Sequence, residues 1–211
     1  MFEEMWNLLV TRWDYFLKLL GEHVWLSSVS IATAIVIGGL TGILISEYRR
    51  AAKPALAFTG FLYTIPSISM LGFLIPFSGV GNATAIIALT IYALLPMVRN
   101  THTGLTNVSP LLIEAAEGMG STRFQVLYKI KLPLAMPVII AGVRNMAVMT
   151  IALAGIAAFI GAGGLGVAVY RGITTNNRAM TVLGSLLIAL LAIAADLLIG
   201  VIERKIKKYT G

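Results

Sequence analysis

The sequence predicts an all-α membrane protein with about five transmembrane helices. Of its 211 residues, 58% are hydrophobic and only 12% are charged, and the apolar residues gather into uncharged runs long enough to span a bilayer. Inside a bilayer a helix satisfies all of its own backbone hydrogen bonds, so such runs are expected to be helical. The chain contains no cysteine, which excludes disulfides and cysteine-ligated metal sites.

Residues 1–23 mix aromatic and charged side chains and precede the first uncharged run. Apolar side chains recur in this segment at helical spacing, at Leu9, Trp13, Phe16, Leu17 and Leu20. Aromatic rings settle at the depth of the lipid headgroups, so the pattern predicts an amphipathic helix that lies in the membrane interface. A helix packed on the transmembrane bundle fits the same pattern equally well.

The uncharged stretches that follow predict about five spans within a transmembrane domain of residues 24–203. Residues 55–98 are too many for one helix, and a cluster of serine, glycine and asparagine at 78–82 marks the turn between two helices. The other spans are expected at residues 24–46, 134–159 and 179–202. A basic tail follows at residues 204–211.

Lysine and arginine are unevenly distributed between the two sides that these spans define. Of the 16, eleven fall on the side of a polar loop at residues 109–133, four fall on the other side, and Arg144 lies within a span. Positively charged loops face the cytosol, so we expect the N-terminus outside and the loop and C-terminus inside. The same distribution explains the net charge of +7 without a nucleic-acid partner.

The polar loop at residues 109–133 predicts two short helices joined at glycine. Gly120 permits a left-handed corner, and Thr122 with Gln125 has the spacing of a capping box that opens the second helix. That helix is expected to stop at Pro133, which cannot continue it. A helix–turn–helix at a membrane surface suits the docking of a partner protein, and an ordinary amphipathic loop is the alternative. Binding of DNA is disfavoured because the flanking spans hold the loop against the bilayer.

Polar side chains near a proline in the second span are candidates for lining a transport pathway. Pro66 interrupts that helix, and Ser67 and Ser69 follow it. Backbone freed by a kink is tolerated in a membrane where it faces protein or a cavity. The two serines, and Asn145 in the fourth span, are therefore candidate pathway residues. A kink buried by neighbouring helices, with Asn145 hydrogen-bonded from helix to helix, explains the pattern equally well.

Two charged residues, Arg144 and Asp196, lie within predicted spans. Intramembrane charges are costly and usually pair with one another. At about 1.5 Å per residue they lie roughly 16 Å and 10 Å from the cytosolic ends of their helices, a difference that an arginine side chain can cover. We predict an ion pair or a shared polar network between the fourth and fifth spans, with a static structural role favoured over contact with substrate.

A glycine run at residues 161–166 lacks the Lys-Ser/Thr of a phosphate-binding loop and follows a membrane span. Its expected role is close backbone packing or a flexible gate at the outer mouth. His23 and His102 are isolated, with no Glu-x-x-His or His-x-x-x-His spacing beside them. We therefore expect no metal site, no catalytic residues and no enzyme activity on this chain.

The polar loop carries residues at a fixed spacing that match a known signature, namely Glu114, Ala115, Ala116, Gly120, Ile130, Leu132 and Pro133. In this the loop resembles the EAA loop of bacterial ABC-importer permeases, with no departure from its pattern. Further segments are similar to the permeases of osmoprotectant importers for glycine betaine, carnitine and choline, at residues 63–67, 73–76, 79–81, 95–101 and 159–166. Methionine-importer permeases share the loop and the glycine run but resemble residues 63–76 less well.

The resemblance implies the type I ABC importer permease fold and a permease subunit in a bacterial cell membrane, with a quaternary-ammonium osmoprotectant as substrate. It implies a cytosolic ABC ATPase dimer that carries ATP and Mg²⁺, so that no cofactor is expected on this chain. It also implies a second permease subunit, identical or paralogous, and an extracellular or periplasmic substrate-binding protein, within membrane lipid. Alternatives are a permease for another small zwitterion such as methionine, an ion-coupled secondary transporter and a membrane scaffold.

Overall fold

The computed structural model describes the backbone of residues 1–210 and the side chains of residues 1–208, so Gly211, at the end of the predicted basic tail, lies outside the description. Every regular element of the described residues is helical. The α-helices are α1 (Phe2–Thr11), α2 (Trp13–Glu47), α3 (Arg49–Thr64), α4 (Ser67–Ser78), α5 (Asn82–Thr106), α6 (Pro110–Gly118), α7 (Arg123–Val126), α8 (Leu132–Ala154), α9 (Gly166–Thr174) and α10 (Arg178–Thr210). A π-helical turn, Leu127–Lys131, joins α7 to α8, and a 3₁₀ turn, Ile156–Ile160, follows α8.

Four helical segments in the described residues are long and apolar enough to cross a membrane unaided. They are α2, α5, the continuous run from α7 through the π turn and α8 (Arg123–Ala154), and α10. The helices α3 and α4 qualify as a pair that is bent by 99°. With the bent pair counted as one broken span, the predicted all-α membrane fold with about five spans is confirmed.

The N-terminal segment is divided at Arg12, whereas a single amphipathic segment was predicted to extend to residue 23. Arg12 has φ −125° and ψ 35°, which ends α1, and α2 begins at the next residue and runs on through the first span. Met5 of α1 and Phe16 of α2 are buried in one cluster with Met180 of α10. Both parts of the segment thus pack on the bundle, and the placement of α1 in the membrane interface stays a prediction.

The bend between α3 and α4 lies at Pro66. The residue before a proline is disfavoured in the helical conformation, and Ile65 accordingly has φ −67° and ψ 129°. The hydroxyl of Tyr92 in α5 donates a hydrogen bond to the Ile65 carbonyl at this break. The predicted interruption is present, and a neighbouring helix satisfies part of the backbone that it frees.

The turn between α4 and α5 is built from glycine. Gly79 and Gly81 have φ angles of 78° and 104°, which other residues rarely adopt. The N–H of Gly81 donates to the carbonyl of Ile160, 2.9 Å away, and ties the turn to the residues after α8. The turn predicted at residues 78–82 is confirmed.

Glycines allow α5 to pack closely against both α2 and α8 at the centre of the bundle. A Cβ atom at Gly42 of α2 would lie 2.5 Å from the Cβ of Thr101 in α5. A Cβ atom at Gly142 of α8 would lie 2.5 Å from the Cβ of Asn100, also in α5. Small residues at such contacts are typical of membrane helices, whose association depends on close packing. The close contact at Gly142 holds Asn100, near the end of α5, beside α8.

Candidate functional site

The polar loop folds into the predicted pair of helices. The first helix, α6, runs from Pro110 to Gly118, and the chain then turns at Gly120, whose φ is 86°. The N–H of Ser121 donates to the carbonyl of Ala116, 3.0 Å away, which closes the end of α6 as a glycine C-cap does. The corner therefore depends on a backbone conformation that glycine adopts without strain.

The second helix of the pair begins as predicted and continues far beyond the predicted end. At its start, Thr122 and Gln125 exchange both hydrogen bonds of a capping box, 2.8 Å and 3.3 Å long. The stop expected at Pro133 is wrong, because the helix widens into a π turn in which the N–H of Leu132 donates to the Leu127 carbonyl. The wide turn accommodates the proline, which has no N–H of its own. The loop and the fourth span thus form one continuous helix.

The helix pair carries an exposed apolar surface, which we name the docking face and define as Leu111, Met119, Phe124 and Tyr128. Their side chains are exposed by 75%, 81%, 74% and 63%, respectively. The rings of Phe124 and Tyr128 stack with their centroids 6.4 Å apart, so they form one continuous apolar patch. Exposed apolar patches of this kind mark contact sites for another protein or for the membrane.

The residues of the EAA signature lie at different places in the helix pair. Ala116 is buried and Gly120 makes the turn, so these two shape the pair. The remaining ones are exposed or half-buried, namely Glu114, Ala115, Ile130, Leu132 and Pro133. An ion pair between Lys131 and Glu47 fastens the pair to the end of α2. The coupling role of the signature stays a prediction.

A cavity of about 360 Å³ is lined by residues of α3, α5 and α8. The polar and aromatic side chains in its wall are Tyr63, Arg99, Asn100 and Asn145, with Met149 beside them. The hydroxyl of Tyr63 donates to the Met149 Sδ atom at 3.2 Å, and this contact joins α3 to α8. The cavity thus combines an aromatic ring, a cation and amide groups within the membrane domain.

The structure separates the predicted pathway residues. Asn145 lines the cavity, whereas Ser67 and Ser69 lie in the first turn of α4 and are not among the lining residues. Arg99 was placed just outside the third span, because the apolar stretch at residues 55–98 was taken to end at the first charge after it. In the structure α5 continues to Thr106, so Arg99 lies within the helix. The turn residues Asn107, Ser109 and Pro110 mark the end of α5, and that signal places Arg99 inside the helix although Pro96 also lies within it.

Arg144 of α8 and Asp196 of α10 form the predicted ion pair. The Nε and Nη2 atoms of Arg144 donate to the two carboxylate oxygens, each over 2.6 Å. The Nη1 atom donates to Glu203 at 3.2 Å, and Glu203 also accepts from Lys207 at 2.7 Å. Glu203 was assigned to the end of the last span, although a spacing of seven residues places it on the same helix face as Asp196. Within the described residues no three metal-ligating side chains gather into a metal site.

The glycine run after α8 is held by polar side chains of two other helices. The N–H of Gly163 donates to Oδ1 of Asn82 at 2.9 Å, and the N–H of Gly164 donates to Oε2 of Glu22 at 3.0 Å. A Cβ atom at Gly163 would lie 2.5 Å from the same Glu22 oxygen. Of the two roles expected for the run, close backbone packing is the one that these contacts support.

Comparison with known proteins shows a family. Residues 34–208 match the family described as the binding-protein-dependent transport system inner membrane component. The osmoprotectant import permease protein OsmW of Salmonella typhimurium is 43% identical over 190 residues, which cover 88% of each chain. The choline transport system permease protein OpuBD of Bacillus subtilis is 38% identical over 99% of this chain and 95% of its own length. OpuCD of Bacillus subtilis, a glycine betaine/carnitine/choline transport system permease protein, is 40% identical over 93% of this chain and 88% of its own length.

Solved structures show the same fold. A chain of the MetNI methionine ABC transporter in an inward-facing conformation superposes with a TM-score of 0.80 and 25% sequence identity. The match covers 90% of this chain and 95% of that chain. The chain is therefore a multi-pass membrane protein with the type I ABC importer permease fold, and it belongs to the family of binding-protein-dependent transport system inner membrane components.

Proposed function

We propose that this chain is the permease subunit of an ATP-driven importer for a small quaternary-ammonium osmoprotectant such as glycine betaine, carnitine or choline. Relatives 38% and 40% identical are named for choline and for glycine betaine, carnitine and choline, and a relative 43% identical is named for osmoprotectant import. In the proposed assembly a second permease, identical or paralogous, completes the pathway, and a substrate-binding protein delivers the solute from outside. ATP and Mg²⁺ bind to a cytosolic ATPase dimer, and the permease itself holds no cofactor.

The observation that carries this proposal is the docking face on a helix that continues into the membrane. The exposed Phe124 and Tyr128 lie on the same helical run, Arg123–Ala154, as the cavity residues Asn145 and Met149. A packed helix moves as a rigid element, so a displacement at the docking face is transmitted along this run to the cavity. ATP binding by a partner ATPase can in this way open and close the pathway.

The proposed orientation places the docking face in the cytosol, where ATP is available. Eleven of the 16 lysines and arginines were assigned to the side of the docking face. Arg99 now lies within α5, and the remaining ten still outnumber the four on the opposite side, so the orientation is unchanged. The N-terminus and the glycine run then lie toward the outside, where the binding protein docks.

A second candidate is a permease for an amino acid, since the fold matches a methionine transporter. That match is 25% identical, whereas the permeases named for osmoprotectants reach 43%, and this difference favours the osmoprotectant. An ion-coupled secondary transporter needs no ATPase, so it does not explain the exposed docking face. A membrane scaffold also needs no ATPase and does not explain a docking face on a helix that continues to the cavity.

The test is ATP hydrolysis by the chain reconstituted with its ATPase in lipid vesicles. We expect binding protein loaded with glycine betaine or choline to stimulate hydrolysis, and Gly120→Trp and Glu114→Lys to abolish this stimulation. Lys205→Glu reverses a charge at an exposed position of α10 outside the docking face and serves as the matched control. If no ATPase associates with the wild-type chain, the importer proposal fails and a secondary transporter becomes the leading explanation.

A further inference from the structure

The cavity between α3, α5 and α8 has the chemistry of a site for a zwitterion. We propose that it is a binding site on the translocation path, in which Arg99 receives the carboxylate of the substrate and the ring of Tyr63 faces its quaternary ammonium group. This inference rests on the proposed function and adds a location and a selectivity to it. A volume of about 360 Å³ is sufficient for a small solute of this class.

Arg99 is the cation of this site. It lies seven residues before the end of α5 at Thr106, about 10 Å into the helix at 1.5 Å per residue. It forms no ion pair with any carboxylate whose position the structure describes, in contrast to Lys131 and Arg144. A guanidinium that is exposed and unpaired inside a cavity can bind a carboxylate through two parallel hydrogen bonds.

Tyr63 provides the aromatic surface. The residue is 41% exposed, so part of its surface is available to a ligand. The rest is fixed by an edge contact with Tyr92, whose ring centroid is 6.1 Å away, and by the hydrogen bond to Met149. Tyr92 is itself held by its bond to the Ile65 carbonyl at the helix break. A rigid ring face attracts a quaternary ammonium group by the cation–π interaction.

The spacing of the two groups fits a short solute. Tyr92 and Arg99 are seven residues apart on α5, which places them on one helix face and about 10 Å apart along its axis. Tyr63 packs on Tyr92, so its ring lies at the Tyr92 end of this separation. The long side chain of Arg99 shortens the distance between its guanidinium and the Tyr63 ring. Asn145 lies in the wall of the same cavity and offers polar contacts to the solute.

The site predicts a selectivity that depends on the carboxylate. Glycine betaine has both a carboxylate and a quaternary ammonium group, whereas choline has the ammonium group alone. Replacement of Arg99 by a neutral side chain therefore weakens the transport of glycine betaine and leaves the transport of choline unchanged. Replacement of the Tyr63 ring weakens the transport of both.

The experiment measures uptake of radiolabelled glycine betaine and choline into vesicles that contain the complete transporter, with ATP hydrolysis recorded in parallel. We expect Arg99→Gln to lower glycine betaine uptake about tenfold while hydrolysis stimulated by the loaded binding protein persists. Arg204→Gln makes the same substitution at an exposed arginine of α10 that does not line the cavity, and it is the matched control. Tyr63→Phe retains the ring and is expected to keep the uptake of both glycine betaine and choline. Tyr63→Leu lacks the ring and is expected to weaken the uptake of both solutes.

Three outcomes overturn the site. Equal loss of both substrates in Arg99→Gln, or no loss of either, means that Arg99 does not bind the carboxylate. A wild-type complex that imports choline but not glycine betaine also excludes a carboxylate-binding role for Arg99. If the wild-type complex imports neither solute and its ATPase ignores the loaded binding protein, the proposed function itself fails, and this result is distinct from a defect confined to the Arg99 variant.

Discussion

The guanidinium of Arg144 and the carboxylate of Asp196 join the fourth and fifth spans through two hydrogen bonds of 2.6 Å each. Gly200 lies beside this pair, and a Cβ atom there would come within 3.2 Å of the Arg144 Cζ atom. The pair also engages Glu203, which links it to the polar end of α10. Paired charges at membrane depth are tolerated because each satisfies the other. These contacts assign the pair a structural role in holding α8 to α10.

We predict that the three members of this network contribute unequally to stability. Arg144→Gln leaves Asp196 without its cation and Glu203 with Lys207 alone, so it lowers the melting temperature of the complex in detergent the most. Asp196→Asn has a smaller effect, because Glu203 still accepts from Arg144. Glu203→Gln has the smallest effect, since the bidentate pair remains intact. An equal effect of the three variants on the melting temperature contradicts this order.

A charge reversal tests the same network and needs three positions. Arg144→Asp combined with Asp196→Arg restores one ion pair but places a new carboxylate at residue 144 beside Glu203. The double variant therefore stays unstable, and addition of Glu203→Gln restores the melting temperature toward the wild-type value. Restoration by the double variant alone means that Glu203 is not part of the network.

Local signals in the sequence predicted the parts of the fold that depend on local chemistry. The corner at Gly120 needed a residue that tolerates positive φ, and the capping box at Thr122 and Gln125 needed only side chains three residues apart. The intramembrane pair was predictable because two opposite charges lay in apolar runs. Its third member, Glu203, lay at the very end of such a run and was therefore not considered as a partner of Arg144.

The features that were not predicted depend on a local change of hydrogen-bond pattern or on contacts between distant parts of the chain. The helix continues past Pro133 because a π turn changes the hydrogen-bond pattern there, and no local signal indicates it. The break at Arg12 is accompanied by the packing of Met5 against α10. The cavity brings Tyr63, Arg99 and Asn145 together from three helices, and sequence spacing on one helix cannot show such a site.

The corner between α6 and α7 provides a matched test of two neighbouring glycines. Gly120 has a φ of 86°, whereas Gly118 lies at the end of α6 with open space around its Cα. A side chain in the left-handed conformation costs about 1–2 kcal/mol, so Gly120→Ala distorts the corner and reduces stimulated ATP hydrolysis. Gly118→Ala leaves hydrolysis near the wild-type rate. Similar rates for the two variants show that the corner conformation is unimportant for coupling.

Close packing of the glycine run predicts that even one methyl group is damaging there. A Cβ atom at Gly166 would lie 2.0 Å from the carbonyl oxygen of Gly155, which is backbone and cannot rotate away. Gly166→Ala is therefore expected to destabilise the chain by about 3 kcal/mol or more, seen as loss of folded protein on size-exclusion chromatography. Gly60→Ala, where nothing lies within 4 Å, is the control and retains a wild-type profile. A flexible gate predicts instead that Gly166→Ala folds normally.

The side chain of His23 in α2 forms hydrogen bonds with the backbone at two places, in α8 and in the glycine run. Its Nε2–H donates to the carbonyl of Ile151 at 3.0 Å, and its Nδ1 accepts from the N–H of Leu165 at 3.2 Å. The side chain is fully buried, so His23→Ala leaves a donor and an acceptor unpaired and costs about 1–3 kcal/mol for each.

We therefore expect His23→Ala to lower the melting temperature markedly and His102→Ala, at a half-buried position, to change it little. His23→Gln retains a donor and an acceptor and is expected to recover part of the loss. Hydrogen exchange provides a second measurement, because the freed N–H of Leu165 exchanges faster only in the His23 variants. Unchanged exchange at Leu165 in His23→Ala shows that the histidine does not hold the glycine run.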